Sequence, residues 1–186
     1  MKSDTYVDFF RQTSPYIHKH RGKTFVIAVD GDTVAHTNFH RTIHDIALLQ
    51  SLGIRIVLVH GGRTQIDQRI AQTGEQSQFH NQLRITDSSA MQSVKEALGS
   101  TRWQIEAELS TGLPNSPMHG AQIKVVGGNF ITAKPIGIVD GVDYQHTGEV
   151  RGIDAGCIQK QLELGGLVLL SPIGFSPTGE AFNLSY

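Results

Sequence analysis

Residues Ile54–Thr73 place the tightest constraint on the fold. Ile54–Val59 (IRIVLV) is an apolar, β-branched run. His60-Gly61-Gly62-Arg63 follows without a spacer, and Thr64–Thr73 (TQIDQRIAQT) has helical spacing. A buried strand that runs into glycines and then a helix start leaves free backbone N–H groups at the positive end of the helix. That arrangement is a ready anion site. An analogous strand, Thr24–Val29 (TFVIAV), lies upstream and runs into Asp30-Gly31-Asp32.

The flanking pattern extends this unit. Val7–His20 reads as an amphipathic segment, with Val7, Phe10, Tyr16 and Ile17 at near-helical spacing and Pro15 interrupting it. Asn38–Ser51 places Phe39, Ile43, Ile46 and Leu49 on one helical face, with Gly53 as the stop. Leu83–Thr86 is a short extended piece. Asp87 and Ser88 are good N-cap types and open a long helix to about Ser110. Then the texture changes. Gly120–Val126 and Asn129–Pro135 are apolar runs split by Gly127-Gly128, a hairpin signal. Val142–Ile153 alternates about a Thr-Gly turn and reads as a second hairpin. Asp154–Leu164 is a helix capped by Gly165-Gly166, and Leu167–Leu170 is a buried strand. Ile173–Leu184 is a third hairpin, turning at Pro177-Thr178-Gly179.

Strands alternating with helices predict an α/β fold: three αβα layers, a mainly parallel open sheet, and inserted β-hairpins. The hairpins would be flaps near the carboxyl ends of the strands, where open α/β sheets bind ligands. Residues 1–186 read as one domain, with an N-terminal helical segment (1–22) and an αβα lobe (23–186). Tyr186 comes just after a hairpin strand, where a helix is expected to begin, so the domain reads as incomplete at its C-terminus.

Composition excludes several classes. Sixteen Lys+Arg against seventeen Asp+Glu leave no basic excess for nucleic acid. A single cysteine, Cys157, excludes an internal disulfide and fits a reducing compartment. Its helical surroundings make it a small packing residue rather than a nucleophile. The N-terminus has no apolar signal region and no run is long enough to span a membrane, so a cytoplasmic protein is expected. His36, His40 and His44 recur every four residues, but Asn38 as N-cap puts His36 outside the helix. They read as a solvated face, not a zinc site, and no metal is expected. His60 reads as a structural histidine bonded to its loop; a general-base role lacks a serine or cysteine elbow. Trp103 on the long helix reads as a packing residue.

Four segments in this order resemble the amino-acid kinase family, within it the branch of acetylglutamate kinases and synthases. They are Phe25–Asp32 (FVIAVDGD), Leu58–Asp67 (LVHGGRTQID), Leu83–Asp87 (LRITD) and Gly179–Leu184 (GEAFNL). Pro15–Ile27 (PYIHKHRGKTFVI) resembles the N-terminal helix and first strand of the arginine-regulated members. Within the branch, the residues are most similar to bacterial N-acetylglutamate synthases. The resemblance implies the carbamate-kinase-like fold. It also implies a kinase-like domain that binds L-arginine as feedback effector and builds a homo-oligomer. A separate acetyltransferase domain, not present in this chain, would transfer acetyl from acetyl-CoA to L-glutamate in the first step of arginine biosynthesis. On that basis no residue here is catalytic, this piece holds no cofactor, and alone it is inactive.

By the same resemblance, Gly62, Arg63, Arg84 and Asn183 match positions that hold acetylglutamate in the kinases, and Tyr16 belongs to the interlocking, arginine-responsive N-terminal helix. Read from the residues alone, Gly62 could merely permit a turn, Arg84 could be a surface cation, Asn183 a turn residue, and Tyr16 an aromatic packed on its own domain. The sequence also departs from the kinases. Ala28 stands where the family carries a phosphate-binding lysine, Asp30 replaces the first glycine of the phosphate turn, and Asp32 adds a second carboxylate. Arg63 replaces a third glycine. Carboxylates there repel phosphates, and phosphoryl transfer depends on cationic positioning. The alternatives are an ATP-dependent acetylglutamate kinase and a non-catalytic module binding arginine or an acylamino acid.

Overall fold

Alternate residues of the central strands are buried against opposite layers, and this two-sided burial organises the chain. The computed structural model describes residues 3–111, 119–120 and 122–185. In chain order the elements are α1 (Ser3–His20), β1 (Thr24–Val29), α2 (Gly31–Ala35), α3 (Phe39–Ser51), β2 (Arg55–His60), α4 (Arg63–Gln72), β3 (Gln78–His80), β4 (Leu83–Ile85) and α5 (Ser88–Ser110). There follow β5 (Val125–Val126), β6 (Ile131–Pro135), β7 (Ile138–Val139), β8 (Val142–Asp143), β9 (Thr147–Ile153), α6 (Ala155–Glu163), β10 (Leu167–Leu170), β11 (Ile173–Phe175) and β12 (Ala181–Leu184).

Strands β1, β2, β10 and β5 lie side by side in that order, all parallel. Ile56, Leu58, Leu167 and Leu169 face one layer, where Phe39, Ile43 and Ile46 of α3 and Ile105 and Leu109 of α5 cover them. Val57, Val168 and Leu170 face the other, against Phe130, just before β6, and Leu162 of α6, with Cys157 packed alongside. The expected αβα sandwich is thus present. Among the described residues, no helix is long and apolar enough to cross a membrane.

The hairpin region differs from expectation. Its strands do not form separate flaps: β11, β12, β9 and β6 close into a four-stranded barrel. Gly127-Gly128 turns no hairpin, because β5 pairs with β10 in the sheet while β6 pairs with β9 in the barrel. Nor is Thr147-Gly148 a turn; both residues lie within β9, and the local turn is at Asp140-Gly141 between β7 and β8. Gly148 is small for a different reason. A Cβ there would sit 2.6 Å from Phe182 Cβ and 2.8 Å from the Lys134 carbonyl oxygen, so the barrel wall leaves no room for one. The third hairpin is as expected, with β11 antiparallel to β12 and Gly179 at φ +86°.

Four further points depart from the sequence reading. Asp30-Gly31-Asp32 is no simple turn: Asp30 caps the short helix α2, accepting from Thr33 N at 2.7 Å. A hairpin of β3 and β4 was not anticipated; its turn residues Asn81 and Gln82 take positive φ without a glycine. Pro15 does not interrupt α1, which runs through it. Trp103 is 70% exposed and is not a packing residue. The buried stripe of α5 runs through Thr101 and Ile105, and Trp103 falls midway between them, on the far side of the helix.

Candidate functional site

The parallel strands β2 and β10 end together, and the site is built on that end. His60, the last residue of β2, is fully buried. Its Nδ1 lies 2.9 Å from the Gly61 carbonyl oxygen, which can only accept, so Nδ1 carries the proton. Nε2 then accepts from Ser171 Oγ at 2.7 Å, just past β10. Burial pushes the His60 pKa down; the bond to Gly61 opposes this and the Arg102 charge adds to it, so the ring stays neutral. The expected structural role of His60 holds.

Gly61-Gly62 then leads into α4, whose N-terminus has no side-chain cap. Gly62 needs its small size here: a Cβ would lie 2.4 Å from Leu98 Cδ2. The start of α2 closes on the start of α4. Gln65 Nε2 donates to the Gly31 carbonyl at 2.7 Å, and Thr64 Oγ1 donates to Asp32.

Beside this junction lies a cleft of 270 Å³. Gly62, Arg63, Arg84 and Asn183 all line it, with Phe79 and Thr147 also in the wall. The four residues matched from sequence, at the start of α4 and on β4 and β12, are therefore brought to one place. Tyr16 is not among them. It stands 68% exposed on α1, which excludes packing on its own domain.

Arg84 is no surface cation: its side chain is 5% exposed. Nη1 donates to Asp67 Oδ1 at 2.7 Å and also to Ser77 Oγ. Both guanidiniums, of Arg63 and Arg84, lie 4.7 Å from the Phe79 ring centroid, within cation–π range. Burial pushes the Asp67 carboxyl up. Hydrogen bonds from Arg84 and Ser77 and the charges of Arg84 and Arg63 outweigh that, leaving it below the usual carboxylate range. The cleft floor is a hydrogen-bonded chain. Asn183 Nδ2 donates to Thr86 Oγ1 at 3.1 Å, Thr86 and Thr147 hydroxyls bond at 2.8 Å, and Thr147 Oγ1 donates to the Arg84 carbonyl at 2.5 Å. Asn183 is thus a floor residue and not a turn residue. Chemically, the cleft offers a net positive, partly desolvated pocket with amide and hydroxyl groups beside it, suited to holding an anion with a polar substituent. Among the described residues, no group of three or more His, Cys, Asp or Glu is placed to hold a metal ion.

Sequence reasoning did not single out Asp67, Ser77, Phe79, Thr86 or Thr147. Asp67 had a signal, lying one helical turn after Arg63 in a helix already identified. Phe79 had none, because its strand is three residues long and its turn lacks glycine.

The sequence profile of the amino acid kinase family matches residues 23–185. The chain belongs to the amino acid kinase family. An amino-acid acetyltransferase of Azotobacter vinelandii is 54% identical over 180 residues, 97% of this chain. An N-acetylglutamate synthase from Neisseria gonorrhoeae, solved with coenzyme A and L-arginine, superposes with a TM-score of 0.85 at 35% identity over 97% of this chain. The same Neisseria protein with coenzyme A and N-acetyl-glutamate gives a TM-score of 0.84 at 34% identity. The chain spans 42% of the Azotobacter protein and 42% and 40% of the two Neisseria chains.

Proposed function

We propose that this chain is the kinase-like portion of a cytoplasmic N-acetylglutamate synthase, acting as its regulatory and oligomerisation domain. The parent enzyme acetylates L-glutamate with acetyl-CoA and answers to L-arginine. The acetyl transfer takes place in a separate domain, so no residue of this chain is catalytic. The observation that carries this reading is 54% identity to a named amino-acid acetyltransferase along 97% of the chain. In support, Ala28 supplies no cation for phosphates. The two glycine-loop helices are instead tied to each other through Gln65, Thr64 and Asp32. Both features disfavour phosphoryl transfer.

Within this reading, the cleft keeps the ability to hold the carboxylate of an acylamino acid. Arg84 supplies the cation, Gly62 and Arg63 the start of α4, and Asn183 an amide. Tyr16 and the exposed helix α1 are assigned to assembly.

The test is made on the purified gene product. CoA release from acetyl-CoA should require L-glutamate and should change with L-arginine. ADP release from ATP with N-acetylglutamate should be absent. ADP release dependent on N-acetylglutamate would make the protein a kinase. Neither reaction, together with arginine-dependent thermal stabilisation, would make it a binding module.

A further inference from the structure

Arg84 enters the cleft with one half of its guanidinium already engaged. Nη1 bonds Asp67 and Ser77. Among the described residues, Nε and Nη2 have no hydrogen-bond partner. They form the edge that forks a carboxylate side-on. The edge is not sealed off, since the fully buried unpaired side-chain atoms among the described residues are Gln50 Oε1 and Gln65 Oε1. The edge is therefore within reach of solvent, and the cavity that Arg84 lines is the cleft. A cation this buried with an unpaired edge is costly unless an anion completes it.

Asp67 changes what that anion can be. It sits on α4, bonded by Ser77 as well as Arg84, with its side chain 40% exposed. We propose that Asp67 is the specificity-determining residue of the cleft: an internal anion that limits Arg84 to one ligand carboxylate and holds carboxylate affinity down. The inference rests on the reading of the cleft as a carboxylate site. Arg63 and Arg84 contribute two positive charges and Asp67 removes one. A ligand carboxylate on the Nε/Nη2 edge shares its guanidinium with the Asp67 carboxylate. The two repel across the width of the guanidinium, roughly 7 Å, in a dielectric between about 20 and about 80, which corresponds to about a tenfold loss of affinity. Arg84 and Ser77 keep Asp67 ionised at neutral pH, so the penalty is constant there.

Asp67→Asn isolates the charge. Asparagine keeps an oxygen acceptor for Arg84 and Ser77 and removes the negative charge. The readout is hydrogen–deuterium exchange of peptides spanning residues 61–67 and 78–85 of the gene product, titrated with N-acetyl-L-glutamate. Peptide resolution separates the cleft from any other site that binds the compound. In wild type these peptides should become protected, and in D67N half-protection should come at about tenfold lower concentration. Asp67→Glu, which keeps the charge, should show no gain. Asp67→Ser, a second neutral variant, should tighten as D67N does and stands in if D67N unfolds at a lower temperature. Wild-type protection with unchanged or weaker binding in both neutral variants overturns the inference and leaves the cleft reading intact. No protection in wild type or either neutral variant overturns both.

Discussion

His60 Nε2 and Ser171 Oγ, 2.7 Å apart, join the carboxyl ends of β2 and β10 inside the protein. The bond fixes the point where the glycine loop leaves the sheet, and it requires a neutral imidazole.

Stability should therefore fall in mild acid. The folded pKa of His60 lies below its ordinary value of 6.5. Between those two values the unfolded chain binds more protons, so the contribution is full above about pH 6.5 and is lost as pH falls below it. Thermal unfolding from pH 7.5 to 5 should show the decline. His60→Asn should flatten it while lowering stability throughout. An unchanged slope in H60N would place the origin elsewhere.

Gly148→Ala should destabilise by about 1–3 kcal/mol through overpacking. The added Cβ meets Phe182 and the Lys134 carbonyl, and the latter is backbone that cannot rotate away. Urea titration of the variant reads the loss. A neutral result would mean that the barrel relaxes freely.

Thr147→Val should cost about 1–3 kcal/mol, because it leaves the buried Arg84 carbonyl and Thr86 hydroxyl short of a partner. Guanidinium titration measures it. A cost near zero would mean that water replaces the hydroxyl.

Trp103→Ser should change stability by no more than about 0.5 kcal/mol, as expected for an exposed site. A loss of several kcal/mol in urea titration would mean that the indole is covered in the protein in solution.

Removal of residues 1–22 should reduce the assembly of the gene product in sedimentation velocity and weaken its response to L-arginine. Tyr6, Phe9, Phe10 and Tyr16 leave α1 with large exposed aromatics. An unchanged sedimentation coefficient would remove α1 from the assembly.

Elements whose signal is local were legible in advance. The strands read at Thr24–Val29, Ile54–Val59 and Leu167–Leu170, the helix after Gly62, the Asp87 cap and the stop at Gly165 each follow from a few consecutive residues. Gly148 marks where that legibility ends: the same residue type serves as a turn or as a close contact, and only the position of Phe182 decides which.

The sequence by itself determined the layered α/β sandwich, because two-sided burial and helical periodicity are written in residue order. It also carried four of the cleft residues, through resemblance to the amino acid kinase family. Tertiary structure alone decided that β6, β9, β11 and β12 close on each other, that Phe79 lies between the reach of two guanidiniums, and that Asp67 is the partner of Arg84. These are contacts between residues far apart in the chain or joined by short, signal-poor strands. Their energies depend on where backbones meet, and no local pattern encodes that.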